Sequence, residues 1–123
     1  MKHVHWITAE PYGIDVLIYV GTWAQFSSYM LRRYGCSMGE QRSAGGHASS
    51  LLDDATCHRF QALWLPESPL STMDGIRALS HELLHAAFCI LHHVGVEASY
   101  KHQEAICYLH DSLNRQAHRS LNK

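Results

Sequence analysis

The sequence predicts an α+β fold, a single domain spanning 1–123 in which a small mixed or antiparallel sheet packs on a long central helix and on the helix that follows it. Three observations predict it. The 123 residues, 46% hydrophobic and 17% charged, supply one core but not two. Short β-branched and aromatic runs separated by turn residues fill the first half. Long stretches of helical period, with caps, fill the second.

Residues 3–8 and 14–20 are rich in β-branched and aromatic residues and flank Glu10-Pro11-Tyr12-Gly13, a turn-forming segment, so they predict a β-hairpin. Thr22 caps a predicted helix that runs to about Tyr34, with Trp23, Phe26, Met30 and Tyr34 on its apolar face and Gly35 as its stop. Residues 35–56, rich in Gly and Ser, read as a long loop with one short strand around His47–Leu52. The run 58–65 reads as a strand that Pro66 and Pro69 end, expected at a sheet edge. Ser71-Thr72-Met73-Asp74 caps a helix from Ile76 to Val94, apolar around most of its circumference and stopped by Gly95. A last helix, about 97–118, places Ala98, Ala105, Leu109 and Leu113 among polar neighbours, with Arg115 to Lys123 as a charged tail.

Ten Lys+Arg against eleven Asp+Glu give a net charge of −1, so nothing draws the chain to nucleic acid or to an anionic membrane. No apolar stretch approaches the length of a membrane span. The start, Met1 to Trp6, lacks the apolar core and cleavage site of a secretory signal. Cys36, Cys57, Cys89 and Cys107 form no Cys-x-x-Cys pair, which fits reduced thiols in a cytoplasm. The outlier is histidine, 11 of 123 residues, a supply of neutral imidazoles for proton transfer or metal binding.

The predicted central helix contains His81-Glu82-Leu83-Leu84-His85, an H-E-x-x-H motif. Four residues are about 1.1 turns, so both imidazoles share one face and can converge on one zinc ion, with Glu82 beside it as base. Random placement in so His-rich a chain yields the motif about once in twenty, so its context carries weight. Two histidines and a glutamate in an apolar helix segment are costly to bury without a metal or polar partners. A catalytic zinc takes three protein ligands and keeps one open position. Glu104, His102 and Glu97 on the next helix compete for the third place, Glu104 foremost, because the chain turns at Gly95 and returns antiparallel. His92 lies about 10 Å further along the axis, too far to join. The H-E-x-x-H-x-x-G-x-x-H pattern fails at Phe88 and Leu91.

His81-Glu82-Leu83-Leu84-His85-Ala86, followed by Glu104-Ala105 within Lys-His-Gln-Glu-Ala-Ile-Cys-Tyr-Leu, resembles the gluzincin metallopeptidases, in particular the minimal gluzincins and small phage-encoded proteins of that type. The resemblance covers mainly 58–113. It implies a minimal zincin-like fold, one Zn2+ per chain held by His81, His85 and Glu104, and Glu82 as general base and acid. It also implies a peptide or protein substrate, and a cytoplasmic site of action, in the host cytoplasm if the chain is phage-encoded. A strand before the active-site helix binds extended peptide at the sheet edge in that family. Arg59, Phe60, Gln61, Ala62, Leu63 and Trp64 match it in position. Tyr108 stands where larger gluzincins carry an acidic residue.

Metal-assisted hydrolysis follows, with Glu82 taking a proton from water and handing it to the leaving amine. Tyr108 and Asp111 share the face of Glu104 and are candidates for orienting a ligand imidazole. His47, His58 and Tyr100 are candidate oxyanion donors. The alternative function is a zinc-binding but inactive or latent protein of the same fold that acts as a binding or regulatory module. The sequence leaves the oligomeric state open.

Overall fold

A computed structural model describes residues 2–41 and 45–123. The element order is β1 (Val4–Ala9), β2 (Ile14–Val20), α1 (Trp23–Tyr34), β3 (His47–Leu52), β4 (Arg59–Leu65), α2 (Met73–His93) and α3 (Gln103–Leu121), with a 3₁₀ turn at Tyr100–His102 before α3. The four strands form one mixed sheet in the order β1-β2-β4-β3. β2 pairs antiparallel with β1 and parallel with β4, and β4 pairs antiparallel with β3. The expected α+β class with a small mixed sheet is therefore what the chain forms.

Alternation along the strands builds two cores. Val16, Ile18 and Val20 of β2 and Leu63 and Leu65 of β4 face α2 and α3, burying Leu79, Leu83, Ile90, Leu91, Leu109 and Leu113 among others. The intervening Leu17, Tyr19, Phe60, Ala62 and Trp64 face α1, where Phe26 and Met30 are buried and Trp23 and Tyr34 pack beside them. The middle strands thus have both faces covered, and at about 25 cal/mol per Å² of apolar surface this burial is the main stabilising term.

The helix ends follow their caps. Thr22 accepts from the Gln25 backbone N–H while the Gln25 side chain accepts from the Thr22 N–H, a reciprocal capping box, and Gly35 ends α1 in the left-handed conformation at φ 69°. Thr72 caps α2 by accepting from the Gly75 N–H at 3.0 Å. α2 ends at His93, and Gly95, at φ 79°, lies in the turn that follows.

Three expectations change. Arg59, Phe60, Gln61, Ala62, Leu63 and Trp64 are not an edge, because β2 and β3 flank β4 on either side. Pro66 follows the last ladder residue, Leu65, so its missing N–H ends the strand without exposing a side of it. The edge beside α2 is β3, and its polar sequence His-Ala-Ser-Ser-Leu-Leu and partly exposed pattern fit that place. The last helix starts six residues later than expected, at Gln103, and runs through the charged tail to Leu121. Finally, α2 buries one face only: Glu82 is buried, whereas His81 and His85 are exposed. The cost of burial therefore falls on Glu82 alone.

α3 is tied to its neighbours by polar bonds as well as by the core. His110 Nε2 lies 3.0 Å from the Ser80 carbonyl of α2. The Gln116 amide donates to the Thr8 carbonyl at 2.8 Å and its oxygen accepts from the Thr8 N–H at 3.2 Å. Buried His5 contacts the Ser120 hydroxyl at 3.1 Å, and burial lowers its pKa from the usual histidine range. No helix of the described residues is long and apolar enough to cross a membrane.

Candidate metal centre

His81 and His85 lie one turn apart on α2, so their side chains leave the helix on the same side. Their Nε2 atoms approach to 3.2 Å, with ring centroids 4.7 Å apart and planes at 79°. Two nitrogens each 2.0–2.1 Å from one tetrahedral zinc are separated by about 3.3–3.4 Å. The imidazoles thus already stand at nearly the spacing of two ligands of one ion.

Glu82 turns toward the sheet. Its side chain is 8% exposed, with Oε1 3.9 Å from His81 Nε2, and its Oε2 is buried without a hydrogen-bond partner among the described residues. A buried carboxylate oxygen left unpaired is costly, and an ion or a water held beside it removes that cost. Ligand atoms of His81, Glu82 and His85 lie within 4.8 Å of one another, and these three form the metal-capable group among the described residues. Donor type, spacing and the orphaned oxygen all fit zinc.

The wall opposite the motif comes from the edge strand. Gly46, just before β3, and His47 and Ala48 at its start line a cavity of about 330 Å³ together with His81, Glu82, His85 and Cys89. Gly46 is buried and has φ +155°, and a Cβ built on it would meet Glu82 Cγ at 3.1 Å and the Trp64 carbonyl oxygen at 3.3 Å. Only glycine lets the strand approach the glutamate so closely. Sequence reasoning missed Gly46 as a site residue. Its signal was the Gly45-Gly46 pair at the entry to a predicted strand.

The other candidates fall elsewhere. Glu104 is exposed in the first turn of α3 and lies outside the metal-capable group, and His102, also exposed, precedes that helix. Asp111 faces Arg115 at 3.5 Å, and Tyr108 is 71% exposed. His47 is the exception, lining the cavity beside Glu82, while its ring bonds Ser49 Oγ at 2.6 Å and packs edge-on against Trp23. His58 is 3.1 Å from Asp15, and Tyr100 is 88% exposed. Arg59, Phe60, Gln61, Ala62, Leu63 and Trp64 line no part of the cavity beside Glu82. Comparison with protein-family models, with curated proteins and with solved structures gave no match.

Proposed function

We propose that this chain is a zinc-dependent peptidase of gluzincin type, acting on a peptide or protein substrate in the cytoplasm. The observation that carries the reading is the pairing of two convergent Nε2 atoms 3.2 Å apart with a buried glutamate whose Oε2 has no partner. His81 and His85 would hold the metal, and Glu104 is the proposed third ligand, reached by a movement of the first turn of α3. Zinc, when bound, supplies a Lewis acid that polarises a carbonyl and makes water more acidic.

The protein's own contribution is then positional. Glu82 directly follows a ligand and turns to the sheet, so its carboxylate holds the attacking water, takes one proton from it, and delivers that proton to the departing amine. Burial keeps competing water away from this carboxylate. β3, the terminal strand of the sheet, is the proposed seat of the extended substrate, whose backbone would add a fifth strand. A cytoplasmic location is consistent with four free cysteines.

A second reading, a zinc-binding protein without hydrolysis, is favoured by the position of Glu104 outside the metal-capable group. Glu82→Gln separates the two. It keeps the size and hydrogen bonding of the side chain but accepts no proton, so zinc content and melting temperature should be retained while peptide hydrolysis falls by roughly 10²–10⁴. Cleavage unchanged in the zinc-loaded variant would leave the binding protein as the better account.

A further inference from the structure

Beyond the metal centre, a cavity of about 570 Å³ lies at the C-terminal end of α2, bordered by that helix, by the sheet and by the loop that leads to α3. Its volume falls within the roughly 300–1,000 Å³ of small-molecule sites. Phe88, Val96 and Ala98 give it an apolar wall, Ser50 and Arg59 line it from the sheet, and Glu97 lines it from the loop. His92 and His93 complete the α2 side. Cys89 borders both this cavity and the cleft beside Glu82, so the two spaces are neighbours, but their linings differ in chemistry.

The charges in this cavity are not neutralised within the protein. Arg59 and Glu97 line the same space, yet they form no ion pair with each other, and neither has an ion-pair partner elsewhere among the described residues. Strand alternation puts Arg59, Gln61 and Leu63 on one face of β4, the face that meets α2. Ser50 of β3 stands opposite Gln61 and diagonal to Arg59. Its hydroxyl accepts from the amide of buried Gln61 at 3.1 Å. That bond holds the oxygen in place and leaves the hydroxyl hydrogen to donate on the same side as the guanidinium. The loop side has the reverse polarity. α2 ends at His93, and the partial negative charge of its last carbonyls adds to the carboxylate of Glu97.

A cation with a hydroxyl donor on one wall, an anion on another and an apolar surface beside them complement a small zwitterion. We infer that this cavity binds an apolar α-amino acid or dipeptide, with its carboxylate on Arg59 and Ser50, its ammonium on Glu97 and its side chain on Phe88 and Val96. A metal ion fits less well, because Cys89, His92, His93 and Glu97 lie outside the metal-capable group and Arg59 repels a cation. A simple anion satisfies Arg59 but is repelled by Glu97. Neither zinc nor hydrolysis is required for this binding.

Isothermal titration calorimetry on the full chain tests it, with a chelator present so that no ligand is held by zinc. Leucine and Leu-Leu are the probes, and the tighter of the two is the one whose charge separation matches that of Arg59 and Glu97. Blocking its carboxylate as the amide, or its ammonium by acetylation, should weaken binding about tenfold, the loss expected for one charge-assisted hydrogen bond. Arg59→Gln should abolish the preference for the free carboxylate and keep that for the free ammonium, and Glu97→Gln should do the reverse. Both side chains are exposed, so the fold should survive either change, as a melting curve will show. Equal binding of free and blocked ligands, preferences unmoved by the two substitutions, or no binding of either probe at millimolar concentration would overturn the assignment. Binding that appears only when zinc replaces the chelator would also overturn it, since the ligand would then sit on the metal.

Discussion

At the scale of single residues, Gly46 sits where any side chain would press on the carboxylate-bearing chain of Glu82. Gly46→Ala combines a backbone conformation that L residues rarely adopt with a Cβ 3.1 Å from Glu82 Cγ, a strain of about 1–3 kcal/mol. The expected outcome is a lower denaturation midpoint and slower peptide cleavage with zinc content unchanged, because His81 and His85 leave the helix on its exposed side. Zinc analysis beside a cleavage assay checks it; an unchanged cleavage rate would mean that Glu82 is positioned without Gly46. Glu104 invites the complementary experiment. If it is the third ligand, Glu104→Ala weakens zinc by orders of magnitude whereas His102→Ala changes little, as read by titration with a competing chelator. The reverse result would place the chain with three-histidine sites. The motif was legible because four-residue spacing on a helix dictates a shared face whatever surrounds it. The role of Gly46 was not, since only the sheet brings position 46 to position 82. Nor was the exposure of His81 and His85, which depends on which face of an almost uniformly apolar helix the sheet covers.

At the scale of elements, strand order decides where an extended partner can lie. The caps of α1 and α2 and the hairpin β1–β2 were legible because Thr22, Gly35, Thr72 and the turn at Glu10–Gly13 act locally. The places of β3 and β4 were not, because pairing is non-local: Arg-Phe-Gln-Ala-Leu-Trp-Leu is the near-continuous apolar run of a strand buried on both faces. The sheet's two edges also differ. On β1 the backbone N–H and carbonyl of Thr8 are both taken by the Gln116 side chain of α3, which blunts that edge against further pairing. The β3 edge lies beside the metal-capable group. If substrate pairs there, methylating single backbone nitrogens of a cleaved peptide should slow cleavage at alternate positions, by roughly 2–10-fold for each lost hydrogen bond of 0.5–1.5 kcal/mol. Kinetics on a methylation series reads this out, and a series with no position sensitive would remove β3 as the seat.

At the scale of the whole molecule, α3 is held to α2 by a shared core and by the contact of His110 with Ser80, while the end that carries Glu104 follows an exposed turn. His81 and His85 belong to α2 alone, so their joint hold on zinc crosslinks nothing. Recruitment of Glu104 would join α2 to the start of α3 and couple metal occupancy to the docking of that helix. Binding to the folded chain alone stabilises it by about 2.7 kcal/mol when free metal is a hundredfold above its dissociation constant. For a domain of this size that corresponds to a melting temperature roughly 10 °C higher. Removing zinc with a chelator should therefore lower the melting temperature by about that amount. Hydrogen exchange should rise first in the initial turns of α3 and last in the strands β2 and β4, whose faces are buried on both sides. In Glu104→Ala the chelator should have little further effect on either measure, because the link between the helices is already gone. A melting temperature indifferent to chelation in the unaltered protein would show that the ligands hold no metal. A full shift persisting in Glu104→Ala would show that another group, not Glu104, closes the site.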